Sequence, residues 1–491
     1  MISDVRIAFA ASNGRRRAYL LLFSALLAIA VSAAGGAAAS AATLTRGFAD
    51  DVWFDGTVDG IPQQHWVTKT VATGARLAEL EVDWYAVEPK APTRADNPTN
   101  PAGAQFDFSY LDRRVKEFAG SGLQPVFLVT DAPRWAEGKG GTPAEYATGG
   151  YRPNARALGD LAEALARRYS GSYPDPARPG AKLPRVRDYQ AWAEANMNVH
   201  LSPQWTSSHG KLVASGPGIY RGVINAFYEG VKAGNRIDTV VASGVESYGD
   251  TPGTGLSRRM PPVTFLEDLF CLNSRLKRLP CPAPARFDVL ASDPYDVGGP
   301  TDHALSSLDA SAPDLGRLTR IAEAGVRSHT VLPTKAKPLW VTEFSYESNP
   351  PNHFKTTVSL TTQARWLEQS FYVFAHEGVS TVLWYLVRDQ PPPYTINYGS
   401  GVYFRNGKPK PSYTAYRFPL VVMPDGQRSQ IWGITPVGGT VQVQRRIGGA
   451  WRTVARFRRG AGKIFYKDVS NLPKGQYRAT VDGQKSLVWT F

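Results

Sequence analysis

A (β/α)8 barrel followed by a small all-β sandwich is the architecture that the sequence predicts, on three observations. Eight short β-like runs recur between about residue 47 and residue 417. Amphipathic helical stretches separate them. From about Phe418 the texture changes to short alternating runs punctuated by glycine-rich turns. β-runs that alternate with helices make βα units and a parallel sheet. Eight of them in this length suit a closed barrel better than an open sheet. The 491 residues ask for a large domain plus a small one. With 43% hydrophobic and 20% charged residues, a sizeable core is available and a disordered chain is excluded.

The first 41 residues stand apart from the fold. Arg15, Arg16 and Arg17 precede the apolar run AYLLLFSALLAIAVSAA, and small residues ending in ASAA follow. A positive region, an apolar core and a small-residue cleavage site make a secretory signal. Cleavage near Ala41 and a secreted chain, wall-associated or free, are expected; an uncleaved anchor is the competing reading. No later segment is long and apolar enough to span a membrane.

The barrel is expected over 43–417. Its β-runs are DVWF near 52, ARLAELEV near 78, QPVFLVT near 127, VRDYQAW near 189, DTVVASG near 241, FDVLAS near 289, PLWVTEF near 341 and TVLWYLV near 384. Among the helices, SYLDRRVKEFAGSG has Ser109 and Asp112 as N-terminal capping residues and Gly120 as a stop. RALGDLAEALARRY and TTQARWLEQSFYVFAHEG are two more. Pro- and Gly-rich stretches such as EPKAPTRADNPTNPAG and DQPPPYTINYGSG mark the long loops in which a barrel places its site. Over 418–491, TVQVQRR, WRTVARF, KIFYKDV and QYRATV predict short antiparallel strands of a sandwich.

Cysteine and charge sharpen the picture. The two cysteines, Cys271 and Cys281, are close in sequence, and an exported chain meets oxidising surroundings, so one structural disulfide is expected. The net charge of +14 is uneven: residues 1–41 carry +3 and residues 418–491 carry +9. The barrel region is therefore close to balanced. Basic charge confined to an exported tail points to an anionic wall polymer or polysaccharide as partner, and away from nucleic acid.

Two glutamates stand where the barrel's strand ends converge. Glu194 follows the fourth β-run in YQAWAEANMNVHLSPQW, and Glu343 closes the seventh in PLWVTEFSYES. Hydrolysis of a glycoside needs two carboxyl groups flanking one bond, about 5 Å apart when configuration is retained. Distant strands of a barrel can supply such a pair. Glu246 and Tyr248, in ASGVESYGD, are further cleft candidates, Asp131 a weaker one, and Trp135 in APRWAEG offers an aromatic face. There is no HExxH, P-loop, GxSxG elbow or GxGxxG after a strand. Neither a metal nor another cofactor is expected.

Trp192, Glu194 and Asn196, with Glu343 in WVTEF, make the chain resemble glycoside hydrolase clan A, the retaining barrel enzymes that include families 5 and 39. The resemblance covers roughly 47–417. It implies Glu194 as acid/base, Glu343 as nucleophile, Tyr295 in ASDPY as the residue that holds the nucleophile, and Trp384 as the floor of the sugar site. It departs from the clan around that site. Ala193 replaces the usual Asn, Ala195 the usual Pro, Asp293 the usual His, and Glu79 stands where strand two usually carries Arg. The implied function is a secreted retaining O-glycoside hydrolase acting on a poly- or oligosaccharide. The alternative is a catalytically weak or inactive glycan-binding protein on the same barrel.

Overall fold

The computed structural model describes residues 43–491 apart from 51–56, 59–60, 140, 144–145, 254–257, 296–297, 392–398 and 426–427. The expected signal, 1–41, lies outside the described residues. The described chain falls within one compact unit, Ser40–Phe491.

Eight parallel strands alternate with eight helices: β1 (Thr45–Ala49), α1 (Gln63–Ala72), β2 (Leu77–Asp83), α2 (Ser109–Ser121), β3 (Gln124–Thr130), α3 (Ala155–Arg168), β4 (Asp188–Ala191), α4 (Gly216–Gly234), β5 (Thr239–Val241), α5 (Pro262–Leu269), β6 (Leu290–Ser292), α6 (Gly316–Arg327), β7 (Leu339–Val341), α7 (Leu360–His376), β8 (Val379–Tyr385) and α8 (Pro411–Arg417). The order around the sheet is β6-β7-β8-β1-β2-β3-β4-β5. Parallel bridges Val241↔Val289 and Glu246↔Asp293 join its two ends and close the barrel. One boundary differs from expectation. The first strand is Thr45–Ala49, which pairs β8 from Thr45↔Thr381 to Ala49↔Tyr385, whereas DVWF at 51–54 lies outside the described residues.

Alternation divides each strand between two surroundings. Ala49, Leu77, Val126, Val241, Val289, Ala291, Trp340 and Leu383 form a small cluster inside the barrel. Ala78, Leu80, Val82, Phe127 and Val129 belong to the main core, between the strands and the helices. On β2 the inner positions after Leu77 are Glu79, Glu81 and Asp83, so apolar filling gives way to carboxylates toward the strand's C-terminal end. Glycines bring α3 against α4: a Cβ on Gly230 would run into the Gly159 carbonyl, and one on Gly234 into the Glu163 carbonyl.

Helix ends follow local chemistry. Asn154 caps α3 through Ala157 N–H, and Ser359 caps α7 through Thr362 N–H. On α2 the capping expectation fails. Asp107 Oδ1 accepts from the Ser109 N–H and hydroxyl, while Asp112 accepts from Arg168 and Tyr169, buried between α2 and α3. Gly120 is inside the helix, and the stop is Gly122 at φ 86°, a left-handed position that suits glycine.

The tail has β9 (Leu420–Asp425), β10 (Arg428–Ile434), β11 (Gly439–Ile447), β12 (Ala450–Arg459), β13 (Ile464–Ser470), β14 (Gln476–Val481), β15 (Gln484–Lys485) and β16 (Trp489–Thr490). They form two antiparallel sheets, β9-β10-β13 and β12-β11-β14-β15, with β16 also on β14. The tail docks on α7. Trp432 lies edge-on to Tyr372 at 5.9 Å, Gln430 takes hydrogen bonds from Tyr372 and His376, and Arg365 stacks on Trp489 at 4.0 Å. Cys271 and Cys281 are disulfide-bonded, closing the turn after α5. Among the described residues no helix is long and apolar enough to cross a membrane.

Candidate active site

The C-terminal strand ends carry unusual backbone. Asp131 after β3, Trp192 and Glu194 after β4, and Leu386 after β8 have φ of 53°, 74°, 27° and 82°. Side chains other than glycine rarely hold these angles, and such strain collects at functional sites.

Glu194 is set by the turn that this backbone makes. Ala195 N–H donates to Ser243 Oγ at 2.9 Å, which ties the turn to the segment after β5. Glu194 Oε2 lies 3.2 Å from His200 Nε2. Its carboxyl is also hydrogen-bonded to that of Glu246. Arg259 reaches Glu246 Oε1 at 3.5 Å, pairs with Asp250 at 3.1 Å and lies 3.7 Å from the centre of the Tyr248 ring.

Glu343 follows β7, and the Tyr295 hydroxyl donates to its Oε1 at 2.6 Å. Asp293 lies behind it: Oδ1 accepts from the Thr342 hydroxyl at 2.7 Å, and the Thr342 and Glu343 backbone N–H groups also donate to it. Both glutamates act electrostatically on His200 and on Tyr295. Glu194 and Glu343 therefore share one cluster.

These contacts push the titrating groups apart. Burial raises the Glu194 carboxyl, but the His200 hydrogen bond and charge, the Glu246 hydrogen bond and Arg259 outweigh it and hold the group below the usual range. Burial lowers His200, and the bond to Glu194 with the charges of Glu194, Asp131 and Glu343 raises it further than burial lowers it. Glu246 is pushed well up by burial and then by Glu194, and Asp293 likewise. Of the hydrogen-bonded pair, Glu246 holds the proton. Burial, then Glu343, also push the Tyr295 phenol well up, so it stays a donor.

A second acidic group flanks the first. Glu81, Asp83 and Asp131 bring carboxylate oxygens within 4.8 Å of one another, a spacing that a cation could bridge. Burial and then Asp131 push the Asp83 carboxyl up to about 6.

The other expected site residues divide into wall and lining. Trp192 is fully buried, and its indole N–H donates to the His200 carbonyl at 2.7 Å. Asn196 is fully buried as well. Its Nδ2 donates to the Glu246 and Met260 carbonyls, and its Oδ1 accepts from Glu246 N–H, so its amide is spent on joining two loops. Trp384 is buried, donates to the Ser400 carbonyl and lies edge-on to Phe344 at 5.9 Å. The substrate contacts expected of these three are corrected to support, because none exposes a face. Trp135 is half-buried, donates to the Glu88 carbonyl and lies edge-on to Trp84. Tyr295 is half-buried. Sequence reasoning missed His200 and Arg259. A histidine six residues beyond Glu194 carries no periodic signal, and only the turn brings it back.

A scan against protein-family models finds no match, and no curated protein matches. Solved structures do. The chain is similar to a family 39 glycoside hydrolase from Bacteroides cellulosilyticus WH2 at 16% identity, with 88% of this chain and 81% of that chain covered and a TM-score of 0.52. It is also similar to a monomeric β-xylosidase from Caulobacter crescentus CB15 at 13% identity, covering 88% and 97%, with a TM-score of 0.49. At such identities the likeness establishes the shared (β/α)8 fold, and the first of the two carries that statement.

Proposed function

We propose that this chain is a retaining O-glycoside hydrolase of the clan A kind, with Glu194 as acid/base and Glu343 as nucleophile. The observation that carries the proposal is the Tyr295–Glu343 hydrogen bond in a cluster that also contains Glu194. A phenol donating to one carboxylate oxygen fixes the rotamer of the group that would attack an anomeric carbon. The second carboxyl supplies the proton for the leaving oxygen and later deprotonates water. The substrate is an oligo- or polysaccharide, no cofactor takes part, and export to the cell exterior belongs to the same reading.

The experiment is a screen of chromogenic β-glycosides followed by two variants. Glu343→Gln should remove turnover, because an amide does not attack. Glu194→Ala should slow substrates with poor leaving groups by about 10²–10⁴-fold and activated aryl glycosides far less. Full activity in either variant on a substrate with a poor leaving group refutes its role. The second reading, a weak or inactive glycan-binding barrel, is favoured by one feature: Asp293, a buried carboxyl, stands behind the nucleophile where the clan usually has a histidine. Substrate binding without turnover would select it.

A further inference from the structure

We propose that the open face of the β12-β11-β14 sheet is a binding surface for an acidic polysaccharide, whose carboxylates seat on Arg446, Arg456, Arg458 and Arg478. The inference goes beyond the catalytic reading and stands even if the barrel hydrolyses nothing.

The sheet has two unlike sides. Val441, Val443, Ala455, Phe457, Tyr477, Ala479 and Val481 are buried on the inner side. The register places Gln442 opposite Arg456, Thr440 opposite Arg458 and Arg446 opposite Trp451. Gln444 lies opposite Arg478 on the neighbouring strand. Arg446, Arg456 and Arg458 are exposed on this outer side. Two other arginines of the same strands are spent on backbone: Arg445 donates to the Lys474 carbonyl and Arg459 to the Ile464 carbonyl. These five arginines of β11 and β12 thus sort by face.

Side-chain bonds across the outer face leave it a surface of donors. Arg446 donates to Gln476 Oε1 at 3.2 Å, Arg478 to Gln444 Oε1 at 2.8 Å, and the Thr453 hydroxyl to Gln442 Oε1 at 3.0 Å. An arginine can only donate, so Gln476 and Gln444 turn their oxygens to the arginines and keep their NH2 groups as donors. Arg478 also lies 4.3 Å from the centre of the Trp451 ring. Among the described residues no carboxylate lies within ion-pair distance of Arg446, Arg456, Arg458 or Arg478. Such a face offers guanidinium and amide N–H groups, and its complement is a ligand rich in acceptors and negative charge.

Shape selects the class of polymer. Among the described residues these donors stand on neighbouring strands of one antiparallel sheet, and not on a helix that could enter a nucleic-acid groove. The outer face's one aromatic ring is already stacked by Arg478, so there is no row of free rings on which bases could stack. A linear chain of acid sugars needs neither: its carboxylates meet the arginines and its hydroxyls meet the glutamine amides.

The test uses the full chain and polygalacturonate, with a neutral β-glucan and duplex DNA as comparisons. Polygalacturonate should bind at low salt and weaken steeply as salt rises. Replacing Arg446, Arg456 and Arg458 together by Gln should weaken it at least about tenfold. Replacing Lys463, Lys467 and Lys474 by Gln removes the same charge from other exposed positions and should change binding by less than about twofold. Equal losses in the two variants would reduce the surface to general charge and overturn the proposal. Equal binding to the neutral glucan, or tighter binding to DNA, would overturn the class of ligand.

Discussion

Glu194 and Glu246 are chemically identical side chains whose surroundings push their titrations in opposite directions. His200 holds Glu194 toward its ionised form, and the buried Glu246 keeps the shared proton. In the proposed mechanism Glu194 must be protonated when the glycoside binds, so the alkaline limb of kcat/KM reports its titration. His200→Asn removes the bond and the charge that lower Glu194. That limb should therefore move to higher pH. A pH profile on one substrate checks this, and a limb that stays in place removes His200 from this role. That Glu194 and Glu343 follow β4 and β7 was legible in the sequence because strand ends can be located from apolar runs. Trp192 and Asn196 were misread because residue type does not say on which side of the barrel wall a side chain lies, and at φ 74° Trp192 departs from strand alternation altogether.

The helices show how far periodicity reaches. It located α2, α3 and α7 to within a few residues, yet gave no sign that α3 and α4 meet through glycine. Gly230 has no room for a Cβ beside the Gly159 carbonyl, so Gly230→Ala should destabilise the fold by about 1–3 kcal/mol despite its better helix propensity. Chemical denaturation measures this, and a neutral or stabilising result would mean that the two helices can part without cost. Asp112 escaped prediction for a related reason: a capping pattern in sequence cannot reveal an arginine 56 residues away. Helix α7 carries the other buried acid of consequence. Glu368 is fully buried between Arg365 and the Leu420 N–H, and burial pushes it up to about 8. A carboxyl raised on folding supports the fold below its unfolded pKa and loses that contribution as pH rises through the folded one. The wild-type chain should therefore lose thermal stability between about pH 4.5 and about pH 8, and Glu368→Gln should flatten that decline. Parallel declines in the two proteins would show that another group is responsible.

At the scale of the molecule, the sequence made both folds legible because barrel and sandwich have different periods, and it could not show that they pack as one unit. Trp432 illustrates the gap. It stands in a strand of the tail, yet its ring is buried against Tyr372 of α7, so it is not available for sugar stacking. The ring of strands itself is uneven. β2 and β3 pair over seven residues, whereas among the described residues the β5 and β6 segments are joined by the isolated bridges Val241↔Val289 and Glu246↔Asp293. The barrel thus has a clasp, and its last link is made by two acids that burial and the nearby Glu194 keep protonated. Ionising them places like charges on both sides of the join. Amide exchange at Ala242, Val289 and Asp293, which bond across it, should outpace exchange within the β2–β3 ladder once corrected for intrinsic rates. The excess should grow with pH. This join would then respond to the same protons as the chemistry beside it.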